Sequence, residues 1–158
     1  MTKTLVAYFS ATGVTAGVAK HLAKVTHADI FEILPQVPYT KEDLNWTDKE
    51  SRTSVEMRDP QCRPALANPV PDLAEYKVIF VGFPVWWYRE PSIIDTFLET
   101  AALNGKVIVP FVTSGGSELG HTVSNMQKLA PHAVVKNGRR FEAGVSDPVL
   151  AEWAAQWL

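Results

Sequence analysis

The sequence holds a single cysteine, Cys62, which excludes an internal disulfide and a thiolate metal cluster and fits a reducing compartment. The expected location is therefore cytoplasmic. Long apolar runs are missing too: none approaches the roughly 20 apolar residues that a helix needs to cross a bilayer. The N-terminal run LVAYF leads straight into a glycine-containing turn and reads as a strand, not as the core of a signal peptide. Strong charge of either sign is also absent. A formal net charge of -2 gives no field to draw nucleic acid or an anionic membrane. The histidines lack a metal-binding spacing such as His-Glu-x-x-His. What remains is an ordinary globular composition, 46% hydrophobic over 158 residues, enough to bury the core of one domain spanning 1–158.

Three near-continuous apolar runs, 5–9, 78–83 and 107–113, suit parallel strands buried on both faces. A fourth, 30–34, alternates more and stops at Pro35, and a fifth is split into pieces at 133–135 and 139–141. Between them lie apolar residues at helical spacing: Val14, Val18, Leu22 and Val25; Ile94, Phe97, Leu98 and Ala101; Leu119, Val123, Met126 and Ala130. Leu150, Trp153, Ala154 and Trp157 form a closing helix, with Asp147 as its N-cap and Pro148 at its first position. Strand then helix, repeated, predicts a doubly wound parallel sheet covered on both sides, a three-layer α/β/α fold. The charged stretch 41–59 interrupts this order as a solvated excursion with room for a surface helix, and Pro60, Pro64, Pro69 and Pro71 continue it in extended form.

In such sheets ligands bind beyond the carboxyl ends of the strands. The first of these ends carries Ser10-Ala11-Thr12-Gly13-Val14-Thr15, where a helix N-terminus, three hydroxyls and a glycine suit a phosphate monoester. A capped turn with no ligand uses the same residue types. The loop contains no Lys or Arg, so it matches neither the triphosphate P-loop nor Gly-x-Gly-x-x-Gly. The third strand runs into Pro84-Val85-Trp86-Trp87-Tyr88-Arg89-Glu90-Pro91, whose adjacent aromatics need a partner to stack on or a core to pack in. Trp87 is the candidate to flank a planar ligand and Trp86 the candidate to pack inward. The fourth strand ends in Thr113-Ser114-Gly115-Gly116-Ser117, whose glycines admit a ligand edge close to the backbone, and Ser117 is placed to cap the next helix.

With these residues in view, the chain resembles the flavodoxin family. Its Ser-x-Thr-Gly-x-Thr loop is similar to that family's FMN-phosphate site. Gly-Phe-Pro-Val-Trp-Trp followed by Thr-Ser-Gly-Gly-Ser is similar to a bacterial flavodoxin-like subgroup, and the likeness runs over nearly the whole chain. The resemblance implies a five-stranded sheet of order 2-1-3-4-5 with FMN across its carboxyl edge. It gives Ser10, Thr12, Gly13, Val14 and Thr15 to the phosphate. Pro84, Val85, Trp86, Trp87 and Tyr88, with Thr113, Ser114, Gly115 and Gly116, go to the isoalloxazine. Two departures stand out: the chain is nearly neutral where familiar electron-carrier flavodoxins are acidic, and 113–120 contains no aromatic to stack on the flavin. Both leave room for a second planar reactant.

The implied function is electron transfer through bound FMN to a redox partner protein or a small planar acceptor such as a quinone. The alternative is an NAD(P)H-dependent FMN quinone or nitro reductase, for which Arg89 would pair with a pyridine-nucleotide phosphate rather than with Glu90. A remote alternative is a serine hydrolase using Ser114 with His121 or His132, although Gly-x-Ser-x-Gly is absent. No acid–base residues are assigned, because the flavin would carry the chemistry. Tyr39 and Trp46, on the excursion, are candidates to fold over the flavin or to pack on the sheet edge, and are left out of the site.

Overall fold

The three apolar runs become the middle of a parallel sheet. A computed structural model describes residues 3–114, 116 and 118–158. In chain order the elements are β1 (Lys3–Tyr8), α1 (Val14–Thr26), β2 (Asp29–Glu32), α2 (Arg52–Arg58), β3 (Tyr76–Pro84), α3 (Ser92–Thr100) and β4 (Val107–Thr113). They continue with α4 (Thr122–Leu129), β5 (Val134–Val135), β6 (Arg139–Phe141) and α5 (Asp147–Ala154), closed by a short 3-10 turn, Ala155–Trp157. Strand order is β2-β1-β3-β4-β5, with β6 also paired to β4 and all pairings parallel. This is the doubly wound, flavodoxin-like α/β arrangement.

Period-two alternation sorts the core into two layers. Leu5, Ala7, Ile79, Val81, Phe83, Ile108 and Val112 face α3 and α4, where Ile94, Phe97 and Met126 meet them. Val6, Tyr8, Phe80, Val109, Phe111 and Phe141 face α1 and α5, against Leu22, Leu150 and Trp153. The expected strand 30–34 is shorter in the structure, ending at Glu32, because β1 offers it no partner beyond Tyr8. The N-cap of α5 is Ser146, in extended conformation, and Asp147 is the first helical residue. Asp147 is thus one position later than expected. Its carboxylate accepts from His21 Nδ1 at 2.9 Å and Lys24 Nζ at 3.3 Å, tying α5 to α1.

The excursion is less solvated than its composition suggests. Ser51, Thr53, Ser54 and Met57 are buried. The hydroxyls of Thr53 and Ser54 donate to the carbonyls of Asp43 and Asp48, both at 2.7 Å. Arg52 stacks over the Tyr39 ring at 3.8 Å, and the Tyr39 hydroxyl donates to Glu56 at 2.5 Å. Polar anchors that serve backbone carbonyls do here what large apolar residues do elsewhere.

The fifth strand is divided at a definable place. β5 pairs with Val107 and Ile108, and β6 with Phe111, Val112 and Thr113. The gap faces Val109 and Pro110, and proline has no N–H for the ladder. Gly138 crosses here so closely that a Cβ would lie 2.0 Å from the Pro110 carbonyl oxygen. Gly138→Ala is therefore expected to lower unfolding free energy by roughly 1–3 kcal/mol, because a backbone atom cannot swing aside. Urea denaturation of the variant beside wild type measures it.

Candidate functional site

The loop after β1 turns into α1 through Gly13, whose φ of 95° is left-handed. A Cβ there would meet nothing within 4 Å, so the backbone sets the requirement and the space above the loop is open. Gly13 N–H donates to Ser10 Oγ at 3.1 Å. The first α1 bond, Gly17 N–H to the Gly13 carbonyl, is 3.1 Å long, which leaves the amides of the first turn facing outward. No acidic residue sits in that turn to compete with an anion. Thr15 turns the other way: its hydroxyl is buried and lies 2.7 Å from the Thr113 hydroxyl, pinning the start of α1 to the end of β4.

Register brings the strand ends level, with Pro84 of β3 opposite Thr113 of β4. Around them opens a cleft of about 450 Å³ lined by Thr12, Val14, Pro84, Thr113 and Ser114 together with Arg140, Phe141, Glu142 and Ala143. A second cleft of about 400 Å³ lies on the other flank of the β1 loop, between Thr12, Gly13, Gly17 and the turn Ala143–Val145. Gly116 is exposed, its N–H 3.4 Å from Ser114 Oγ, while Gly115 and Ser117 lie outside the described residues.

Arg140 was not among the residues that the sequence suggested. Its Nε donates to Ser114 Oγ at 3.0 Å and its Nη2 to the Ser114 carbonyl at 3.1 Å, which plants a guanidinium in the cleft wall. Glu142 is 3.6 Å away on the solvent side. The rule that ligands gather at carboxyl ends applies to the split fifth strand as to the others, and Arg-Arg-Phe-Glu-Ala-Gly after the break was the available signal. The Ser114 hydroxyl is held by this arginine. His132 belongs to the opposite edge, where its carbonyl accepts from Gly105 just before β4. These placements do not assemble a serine hydrolase with His132.

The aromatic loop divides its rings. Trp86 is partly buried in a T-shaped trio with Phe9 and Tyr39, at centroid distances of 5.6 and 5.4 Å. Trp87 and Tyr88 project outward, and with Val85, Trp86 and Trp46 they line a third groove of about 400 Å³. The chain turns here through paired bonds: Trp86 N–H to the Arg89 carbonyl at 3.1 Å and Arg89 N–H to the Trp86 carbonyl at 3.2 Å.

Below that turn lies a buried charge cluster. Arg89 Nη1 bonds Asp95 at 3.2 Å, with Glu90 at 3.8 Å, and Nη2 donates to the Met57 carbonyl at 3.4 Å. Its main partner is thus Asp95 rather than the sequence neighbour Glu90, and the guanidinium is committed to the protein. Glu90 is fully buried and neither carboxyl oxygen has a hydrogen-bonding partner among the described residues. Burial, then the Asp95 charge, push the Glu90 carboxyl up to about 8. In the unfolded chain it ionises near its ordinary 4.5, so the folded protein holds the extra proton between those values. Stability from this group is present below 4.5 and is lost as pH rises through about 8. Glu90→Gln, which cannot ionise, is expected to gain stability relative to wild type across that window, read from urea midpoints at pH 5 and 8; an unchanged difference would show that Glu90 is ionised in the fold.

The chain matches the family model described as Flavodoxin over residues 3–157. Among solved structures it is similar to a candidate flavoprotein from Bacteroides uniformis, at 44% identity, 98% coverage of each chain and a TM-score of 0.92. It is likewise similar to one from Bacteroides eggerthii, at 42% identity, 99% and 98% coverage and a TM-score of 0.93. A flavoprotein in complex with FMN from Lactobacillus acidophilus shares the fold at 20% identity, 98% and 99% coverage and a TM-score of 0.70. No curated protein matches the chain. No helix among the described residues is long and apolar enough to cross a membrane. The match over almost the full length, on a sheet of this order with its clefts at the carboxyl edge, makes the chain a member of the flavodoxin family.

Proposed function

We propose that the chain binds FMN at the carboxyl edge of its sheet and passes electrons from it to a protein partner or a small planar acceptor. The observation that carries this reading is one cleft shared by the open β1 loop, the level ends of β3 and β4, and Arg140. A phosphate monoester needs several donors around three oxygens. The outward amides at the start of α1, the Thr12 hydroxyl and the space above Gly13 fit that group. Ser10 acts by holding the loop through Gly13 N–H, and Thr15 by fastening it to Thr113, so both shape the seat rather than line it. In this reading Pro84 to Tyr88, with Thr113, Ser114 and Gly116, would border the ring end. When bound, the flavin supplies the redox chemistry, and these residues position it and limit water around it.

The pyridine-nucleotide reductase reading loses its candidate anchor, because Arg89 is held by Asp95 and Met57. Arg140 is different. It is a fixed, permanently charged fork in the wall that Thr12 and Val14 also line, and it supplies the cation that the β1 loop lacks.

Absorbance titration of the flavin-free protein is expected to give one FMN per chain with a shifted flavin spectrum; a chain that leaves the spectrum unchanged contradicts the reading. Arg140→Gln is expected to weaken FMN binding by about tenfold or more while riboflavin binding changes less, since a charged hydrogen bond to phosphate is lost. Equal losses for both flavins would place Arg140 at the ring instead.

A further inference from the structure

Below the turn at 86–89 two buried carboxyls lack the donors that burial demands. Glu90 and Asp95 are both buried, and Glu90 Oε1, Glu90 Oε2 and Asp95 Oδ1 meet no donor among the described residues. The two carboxyls lie within hydrogen-bonding reach of each other. Two carboxylates can only accept. A carboxylic acid at Glu90 donates to a carboxylate at Asp95, so one shared proton lets the pair bond.

Every element packed against the pair brings a charge or a dipole. Its own turn supplies Arg89, bonded to Asp95 at 3.2 Å, and α2 supplies the Met57 carbonyl that Arg89 also reaches. The segment after α2 brings Arg63, 3.8 Å from Asp95 and paired with Glu99 of α3, and α4 brings Asn125 and Lys128. These side chains wall a cavity of about 170 Å³, and two residues that line it, Pro60 and Lys128, are exposed, so it opens to water. The proton has a way out.

The same arginine closes the turn that carries Trp87 and Tyr88. Trp87 has φ 48° and Tyr88 φ 63°, both left-handed, the signature of a type I′ turn that Asn-Gly normally fills. With bulky aromatic residues such a backbone persists only where its surroundings over-determine it. On one side His121 N–H donates to the Tyr88 carbonyl at 2.8 Å. On the other side the anchor is Arg89, and its hold depends on the acid pair.

We propose that Glu90 and Asp95 form a proton-operated latch that positions the 86–89 turn, and with it Trp87 and Tyr88, at the ring end of the flavin seat. With one proton shared, the pair carries a single charge that Arg89 balances, and the turn is held. When the Glu90 proton passes to water, two like charges face each other in a buried site. Water enters from the cavity to solvate them, Arg89 leaves its fixed place, and the left-handed turn relaxes. Because the Glu90 carboxyl is pushed up to about 8, the turn is held below that pH and released above it. Both acids are thus positioning residues. The effect on flavin rests on the FMN reading above; the latch itself does not.

The test is fluorine NMR of the flavin-free protein labelled with 5-fluorotryptophan, titrated from pH 6 to 10, with the Trp87 signal identified by Trp87→Phe. That signal is expected to shift with a midpoint near 8, while the signal of Trp153, buried in the other core layer, stays in place. Glu90→Gln, whose amide donates to Asp95 at every pH, is expected to keep the Trp87 signal at its pH 6 position throughout. Cys62→Ser is expected to leave the midpoint unchanged, which separates the pair from the thiol next to Arg63. Wild type is expected to bind FMN about tenfold or more weakly at pH 9 than at pH 7, and Glu90→Gln to lose little of its affinity. A Trp87 signal that does not move, or moves alike in Glu90→Gln, overturns the proposal. So does an FMN affinity that is constant with pH or changes equally in both proteins. If neither protein binds FMN at pH 7, the FMN reading fails on its own, and the fluorine titration still decides whether the latch exists.

Discussion

The parallel pairing of β1, β3 and β4, apolar on both faces, is the constraint on which the rest of the molecule depends. Because the strands run the same way in tight register, all their outgoing loops emerge at one edge. Because both faces are covered, that edge is anchored by fully buried rings such as Phe80, Phe83, Phe97 and Phe111. Each contributes about 1.5–3 kcal/mol on transfer from water. This is the reserve against which the left-handed backbone at Trp87 and Tyr88 is tolerated. The arrangement is therefore rigid below and conformationally demanding above, which suits a preorganised ligand site.

A proline in a central strand then shapes the edge. Pro110 leaves β4 without a ladder donor, the neighbouring strand divides, and its second piece resumes alongside Phe111 to Thr113. That shift delivers Arg140 to Ser114 and sets the turn after β6 beside the start of α1. The β1 loop carries no cation of its own, yet it shares a cleft wall with one contributed from the other end of the chain. Charge that is missing from a local motif is restored by topology.

The sheet was legible because its strands carry their own burial signal. Val78 to Phe83 is apolar throughout, so it reads as a central strand without any knowledge of its neighbours. The loops at the carboxyl ends followed from that assignment. Arg140 was hidden for the opposite reason: Arg-Arg-Phe is a short, charged strand whose role is set by where β4 admits a partner. The proline inside the run 107–113 was the visible clue. Glu90 was equally opaque, since it is fully buried and shares its surroundings with Asp95 of α3 and Asn125 of α4, which lie on separate elements. The excursion misled by composition, because its anchors are hydroxyls serving carbonyls and not large apolar groups.

The central claim is that loops far apart in sequence form one seat for one ligand. Amide chemical-shift mapping of isotope-labelled, flavin-free protein titrated with FMN tests it most directly. The account predicts that the amides of 12–15, 85–88, 113–116 and 140–144 shift together, at one common saturation point. Shifts confined to a single loop, or centred away from the carboxyl edge, would contradict it.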